Sequence, residues 1–78
     1  MLAKRVLVAE DELELRAFIC RNLRARDFAV LEANNGIEAL RLWEMDHPQL
    51  LILDIMMPQM DGLEVCRRIR ECSTVPII

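Results

Sequence analysis

Short apolar runs alternate with helix-like amphipathic segments from one end of this 78-residue chain to the other. The run at residues 5–9 stops at three consecutive acids, and the run at residues 50–53 is wholly aliphatic. Apolar runs of this length are typical of strands that lie inside a parallel sheet and are covered on both faces. Residues 28–33 and 75–78 have a similar strand-like character.

Between these runs, apolar side chains recur at intervals of three and four residues, which is typical of a helix with one buried face. We expect the first helix to span residues 12–26, with four side chains facing the core: Leu15, Phe18, Ile19 and Leu23. Asn35 is a good N-cap for the second helix. An Asn-Gly pair can also mark a hairpin, but the helical spacing that follows favours the cap. The third helix is predicted at residues 63–72.

The order strand, helix, strand, helix, strand, helix, strand predicts an α/β fold, a doubly wound open parallel sheet with helices on both faces. In such sheets, ligands bind outside the carboxyl ends of the strands. Glu10 and Asp11 follow the first predicted strand, and Asp54 follows the third. If these strands are neighbours, three carboxylates converge on one place.

Carboxylates gathered in this way repel one another, and one pair at 4 Å costs about 4 kcal/mol at an effective dielectric constant near 20. A bound cation relieves that repulsion. Oxygen ligands on an open surface favour Mg²⁺, with Mn²⁺ as a substitute. Beside such an ion, one carboxylate can act as a nucleophile toward phosphorus and form an aspartyl phosphate. Alternatively, acids that follow a strand can cap the next helix, which is a plain structural explanation for Glu12 and for Asp11.

Asp54 is followed by Ile-Met-Met-Pro, which is not the Gly or Ser expected where a strand simply turns. Pro58 stiffens this loop, and we expect the Asp61-Gly62 pair to supply a turn that is able to reach positive φ. The methionines at 56, 57 and 60 are interpreted as packing and loop-shaping residues. The loop is therefore suited to support a reactive carboxylate.

Composition excludes several other functions. The formal charge of −3 and the pI of about 5.0 argue against contact of these residues with nucleic acid or an anionic membrane. The arginine clusters at positions 21–26 and 67–70 are interpreted as solvated helix faces. No apolar run is long enough to span a membrane, so a cytoplasmic location is expected. Three cysteines without C-x-x-C spacing support neither a disulfide framework nor a zinc site, and His47 is expected in a loop.

The segments RVLVAEDE, LLILDIMMPQMDGLEVCRRIR and VPII resemble, in order and spacing, the receiver domain of two-component response regulators. The resemblance implies a flavodoxin-like sheet, of which residues 1–78 would form the N-terminal part: about four of five strands and three of five helices. It also implies transfer of a phosphoryl group from a sensor histidine kinase to Asp54. Mg²⁺ would be bound by Asp11, Asp54 and the main-chain carbonyl of Met56, with Glu10 binding it through a water molecule.

The same resemblance implies a signalling module and not a metabolic enzyme. Three features of the family lie beyond this sequence: the switch Ser or Thr, the switch aromatic and the fifth-strand lysine. We therefore expect impaired phosphotransfer by these residues alone, and an exposed apolar edge at residues 75–78 through which copies could associate. A DNA-binding output domain would be the commonest arrangement. Asp27 stands where the family often has glycine, at a modest local cost.

Two other functions compete. A docking or dimerisation module could use the same fold without phosphorylation. A phosphatase of the haloacid dehalogenase type needs a second acid two residues after the nucleophile, where this chain has Met56. Dinucleotide binding is excluded because the only two glycines cannot form a G-x-G-x-x-G motif.

Overall fold

In a computed structural model, residues 3–78 are described, and they form three parallel strands and three helices. In chain order, the elements are β1 (Arg5–Ala9), α1 (Leu13–Arg24), β2 (Ala29–Ala33), α2 (Gly36–Asp46), β3 (Leu50–Leu53) and α3 (Gly62–Arg70). The strand order is β2-β1-β3, with β1 in the centre. The predicted doubly wound α/β fold is therefore confirmed.

Successive side chains of β1 point to opposite faces of the sheet and build two separate cores. Val6 and Val8 pack with Cys20 of α1 on one face. Leu7 packs on the other face, where α2 contributes Trp43 and α3 contributes Val65 and Ile69, which are four residues apart and fully or almost fully buried. A central strand that is covered on both faces explains why the run at residues 5–9 is almost continuously apolar.

The predicted inward stripe of α1 is wrong in two of its four members. Leu15 is 44% exposed and Phe18 is 57% exposed, whereas Cys20 is buried. The row that starts at Leu15 and Phe18 continues into Asn22, whose side chain bonds back to its own helix. The neighbouring row, which ends at Leu23, faces the sheet. α1 is also shorter than predicted at both ends.

The fourth strand predicted at residues 75–78 is present only as an isolated parallel bridge between Leu51 and Ile77. Three main-chain hydrogen bonds of 2.9–3.0 Å join residues 76–78 to β3. Pro76 has no N–H to donate, so the ladder cannot extend through it. The segment lies next to β3, but too few of its residues pair to form a strand.

The helix ends confirm several predictions made from local sequence. Asn35 caps α2, where its Oδ1 accepts a hydrogen bond of 2.8 Å from the amide of Glu38. Asp27, just beyond α1, has φ 70°. His47 ends α2 in the left-handed region, and its ring lies 5.0 Å from that of Trp43. The arginines predicted to lie on solvated faces are exposed.

Candidate functional site

The candidate site lies at the carboxyl ends of β1 and β3, which the register of the sheet brings level with each other. Ala9 is paired with Leu53, and the amide of Asp54 donates a hydrogen bond of 2.9 Å to the carbonyl of Ala9. On the other side of β1, the amide of Glu10 donates to the carbonyl of Ala33, at 3.0 Å. The first residues after two adjacent strands are thus fixed by continuation of the sheet.

Three carboxylates converge there. Glu10, Asp11 and Asp54 each place a carboxylate oxygen within 4.8 Å of the others. Glu10 is buried, Asp11 is exposed and Asp54 is partly exposed. Asp54 is thus reachable from solvent beside the other two acids, which is the arrangement expected from the sequence.

The electrostatics of this cluster leave negative charge uncompensated. Burial raises the pKa of Glu10 above its ordinary value, and the nearby carboxylates of Asp54 and Asp11 raise it as well, against a hydrogen bond from the amide of Glu12 that lowers it. Among residues 3–78, none of the ion pairs includes a member of the cluster. Carboxylate oxygens without a cationic partner suit a hard divalent cation such as Mg²⁺.

The plain capping explanation is correct for Glu12 and does not apply to Asp11. Both carboxylate oxygens of Glu12 accept hydrogen bonds from the first turn of α1, at 3.1 and 2.8 Å. Glu12 is thereby the N-cap of α1. Asp11 lies instead on the wall of an open pocket of about 520 Å³. The two adjacent acids therefore have different roles.

The loop after β3 forms the rest of this pocket, whose other lining residues are Ile55, Met56, Met57, Pro58 and Asp61. Met57 is buried and packs in the core with Met60, whereas Met56 is 81% exposed. The carbonyl of Ile55 accepts a hydrogen bond of 2.9 Å from the amide of Gly62, which closes the loop. Packing and loop shaping thus explain Met57 and Met60, and Met56 lies at the rim.

The turn expected at Asp61-Gly62 does not lie at these two residues. Gln59 has φ 70°, and neither of the two predicted residues has positive φ. Asp61 is the N-cap of α3, with its Oδ1 accepting a hydrogen bond of 2.9 Å from the amide of Glu64. The glycine is required by space: a Cβ at Gly62 would lie 2.1 Å from the carbonyl oxygen of Asp54. The tight turn comes two residues earlier than expected because α3 begins at Gly62 itself.

Sequence reasoning missed Arg16. Its guanidinium Nη1 donates a hydrogen bond of 2.8 Å to the main-chain carbonyl of Glu10, and its Nε lies 3.3 Å from Oε1 of Glu32. The side chain is only 14% exposed. Two features of the sequence could have indicated the contact between Arg16 and Glu32. One is an arginine on the first predicted helix, and the other is a lone acid, Glu32, within the second apolar run.

Comparison with known proteins places this architecture in a family. The model of the response regulator receiver domain matches residues 6–78. The chain therefore belongs to the receiver domains of response regulators. Among residues 3–78, no helix has the length and apolar character needed to cross a membrane.

Relatives and solved structures agree with that assignment. The chain is 40% identical over 75 residues to the probable transcriptional regulator ycf27 of Cyanophora paradoxa, covering 96% of this chain and 31% of that protein. The response regulator TrrA of Thermotoga maritima, solved in complex with Mg²⁺-BeF, is 37% identical with a TM-score of 0.89, over 95% of this chain and 65% of that one. The receiver domain of Ssk1 of Saccharomyces cerevisiae, solved with the histidine phosphotransfer protein Ypd1, is 29% identical with a TM-score of 0.84, over 88% of this chain and 48% of that one.

Proposed function

We propose that this chain is the phosphoacceptor part of a two-component response regulator, with Asp54 as the residue that takes the phosphoryl group. The observation that carries the proposal is the convergence of three carboxylates within 4.8 Å at the ends of adjacent strands. Asp54 is the member that is partly exposed and directly follows β3. A partly exposed carboxylate can approach a phosphorus atom that a fully buried one could not reach.

The metal site in this proposal uses Glu10, Asp11, Asp54 and the main-chain carbonyl of Met56, with Mg²⁺ as the ion. Every donor is an oxygen, and the uncompensated charge of the cluster favours a divalent cation. When bound, the ion would offset the negative charge that develops on the transferred phosphoryl group. The similar structure of TrrA was solved in complex with Mg²⁺-BeF, which supports the choice of Mg²⁺ as the ion.

The reaction is a displacement at phosphorus. A carboxylate oxygen of Asp54 forms a bond to the phosphorus of a phosphohistidine while the P–N bond to the imidazole breaks, and the departing imidazole nitrogen keeps the electron pair and takes up a proton. The chain's own contribution is to position the nucleophile, because the amide of Asp54 is bonded to β1 and the following loop is closed by Gly62.

The partner that supplies the phosphoryl group is proposed to be a sensor histidine kinase or a histidine phosphotransfer protein. Two large apolar side chains that line the pocket are exposed, Ile55 at 56% and Met56 at 81%. Such side chains are suited to contact another protein. The Ypd1–Ssk1 structure shows a receiver domain with a partner of this class.

The test is incubation of the intact protein with acetyl phosphate and Mg²⁺, followed by intact-mass measurement. We expect addition of one phosphoryl group, its loss in Asp54→Asn, and its retention in Asp61→Asn. Asp61 is a matched control because it is an acid that lines the same pocket as Asp11 but lies outside the cluster, and asparagine is also a good N-cap. Phosphorylation that persists in Asp54→Asn would reject the proposed nucleophile. Replacing acetyl phosphate with a phosphorylated kinase tests the proposed partner.

A further inference from the structure

Arg16 ties the loop between β1 and α1 to the neighbouring strand. Its guanidinium has two partners that are far apart in sequence: Nη1 donates to the main-chain carbonyl of Glu10 at 2.8 Å, and Nε lies 3.3 Å from the carboxylate of Glu32 in β2. The contact with Glu32 is exposed, whereas the side chain of Arg16 is only 14% exposed and its hydrogen bond to the carbonyl of Glu10 is partly buried. Hydrogen bonds from a charged donor in such a place are stronger than those at an exposed surface.

Glu10 is consequently held at three points. Its amide donates to the carbonyl of Ala33 at 3.0 Å, and its own carbonyl accepts from Arg16. Its side-chain Oε2 accepts from the amide of Glu12 at 3.1 Å. Since the carbonyl of Glu10 belongs to the same peptide plane as the amide of Asp11, fixing that plane also fixes where the backbone of Asp11 begins.

These restraints act against the repulsion within the acidic cluster. Glu10, Asp11 and Asp54 lie within 4.8 Å of one another, so an unrestrained loop would lower its energy by moving the first two acids away from the third. Glu32 in turn orients Arg16, and its second oxygen accepts a hydrogen bond of 3.0 Å from Arg24. Arg24 makes no contact with Glu10 among the described hydrogen bonds.

From this geometry, we infer that Arg16 is a positioning residue for the metal site, holding the carbonyl of Glu10 so that Glu10 and Asp11 face Asp54 before the ion binds. The inference rests on the proposed function, since it concerns the same site. It adds a residue that contacts neither the ion nor the phosphoryl group. Glu32 takes part only through Arg16.

A positioning role and a purely electrostatic role of Arg16 predict opposite changes in Mg²⁺ affinity when Arg16 is replaced. Arg16→Met removes a positive charge from the neighbourhood of a cation site, so charge alone would make Mg²⁺ bind more tightly. Loss of positioning would make it bind more weakly, by roughly 10-fold if it resembles loss of other groups that orient metal ligands. Arg24→Met is the matched control, because it removes the same charge from the same helix and from the same glutamate without touching Glu10.

The experiment is calorimetric titration of the protein with Mg²⁺ alone, for the wild type and four variants: Arg16→Met, Arg24→Met, Glu32→Gln, and Arg16→Met combined with Glu32→Gln. We expect weaker binding in Arg16→Met, unchanged or tighter binding in Arg24→Met, and no further loss when Glu32→Gln is added to Arg16→Met. In the metal-free protein, the carbonyl ¹³C resonance of Glu10 should shift in Arg16→Met and not in Arg24→Met.

If Arg16→Met does not fold, the same titration with Mg²⁺ is made with Arg16→Lys. The single nitrogen of lysine keeps the charge but cannot reproduce both contacts of the guanidinium, so weaker binding than in the wild type is expected. Binding of Mg²⁺ to a folded position-16 variant that equals or exceeds that of the wild type would overturn the inference while leaving the proposed metal site intact. Failure of the wild type to bind Mg²⁺ would instead reject the proposed metal site, and the positioning role with it.

Discussion

The carbonyl oxygen of Asp54 lies directly against Gly62, where an added Cβ would be only 2.1 Å away. The amide of the same glycine donates to the carbonyl of Ile55. Gly62, eight residues after the proposed phosphoacceptor, therefore packs against the backbone of Asp54. Because main-chain atoms are on both sides of this contact, neither can move aside as the tip of a flexible side chain would.

Gly62→Ala should therefore destabilise the protein, although alanine has the higher helix propensity and Gly62 is the first residue of α3. We expect a loss of about 1–3 kcal/mol in the free energy of unfolding, as for other overpacked sites. Urea denaturation followed by circular dichroism measures it. The neighbouring Leu63→Ala, at a side chain that is 64% exposed, is the control and should change stability by less than about 0.5 kcal/mol. Equal stability of Gly62→Ala and the wild type would show that the loop can shift away.

Removal of the metal provides a second test of the acidic cluster. Without divalent cations, Asp11→Asn should stabilise the protein by up to about 1 kcal/mol, because one of the three mutually repelling charges is gone. Addition of Mg²⁺ at 100 times its dissociation constant should stabilise the wild type by about 2.7 kcal/mol and the variant by less. Urea midpoints with EDTA and with Mg²⁺ give both quantities. Asp61→Asn should keep the wild-type response to Mg²⁺, and an Asp11→Asn variant that keeps it too would remove Asp11 from the ligand set.

Asp27 stands where the resemblance to receiver domains implies that glycine is common. Its φ of 70° is in the left-handed region that favours glycine. Glycine accepts that conformation without strain, asparagine and aspartate tolerate it, and other L-residues pay about 1–2 kcal/mol. The order of thermal stability should therefore be Asp27→Gly, then wild type, then Asp27→Ala. If Asp27→Ala is as stable as Asp27→Gly in calorimetric melting, backbone strain at this position is negligible.

The alternation of strands and helices, the parallel sheet and the convergence of Glu10, Asp11 and Asp54 could be predicted because each depends on regular periodicity and on the shared edge of parallel strands. The failures depend on contacts that periodicity does not encode. Leu15 is apolar and helically spaced, yet the sheet selects the adjacent row of α1. Gln59 has the positive φ, at a turn where the amide of Met60 donates a hydrogen bond to the carbonyl of Pro58, two residues before the Asp-Gly pair.

Arg16 was missed for the same reason, since its two partners meet only after β1 and β2 have paired. A charged residue in an amphipathic helix is interpreted by default as solvated. Only the folded register places Glu32 of β2 opposite Val8 of β1, where Arg16 contacts both Glu32 and the carbonyl of Glu10. Polar side chains that bridge two elements are thus the part of such a site that sequence patterns conceal.

Glu32 should make stability depend on pH in a predictable direction. Hydrogen bonds from Arg24 and then from Arg16 hold the pKa of Glu32 below its ordinary value of 4.5. A lowered pKa in the folded state means that the ionised carboxylate stabilises the fold above the unfolded-state pKa, and that this contribution is lost as the pH falls through the folded-state pKa. The side chain is 36% exposed, so solvent limits the contribution to about 1 kcal/mol.

The measurement is the difference in the free energy of unfolding between the wild type and Glu32→Gln, obtained from urea denaturation at a series of pH values. We expect a constant difference near neutral pH that shrinks as the pH falls below about 4.5, because only the wild type then loses an ionised partner of the two arginines. In an Arg24→Met background the difference should be smaller at neutral pH, since the hydrogen bond from Arg24 is the largest cause of the lowered pKa. A difference that grows toward acid pH would mean that Glu32 is destabilised by its surroundings, contrary to the two hydrogen bonds it accepts.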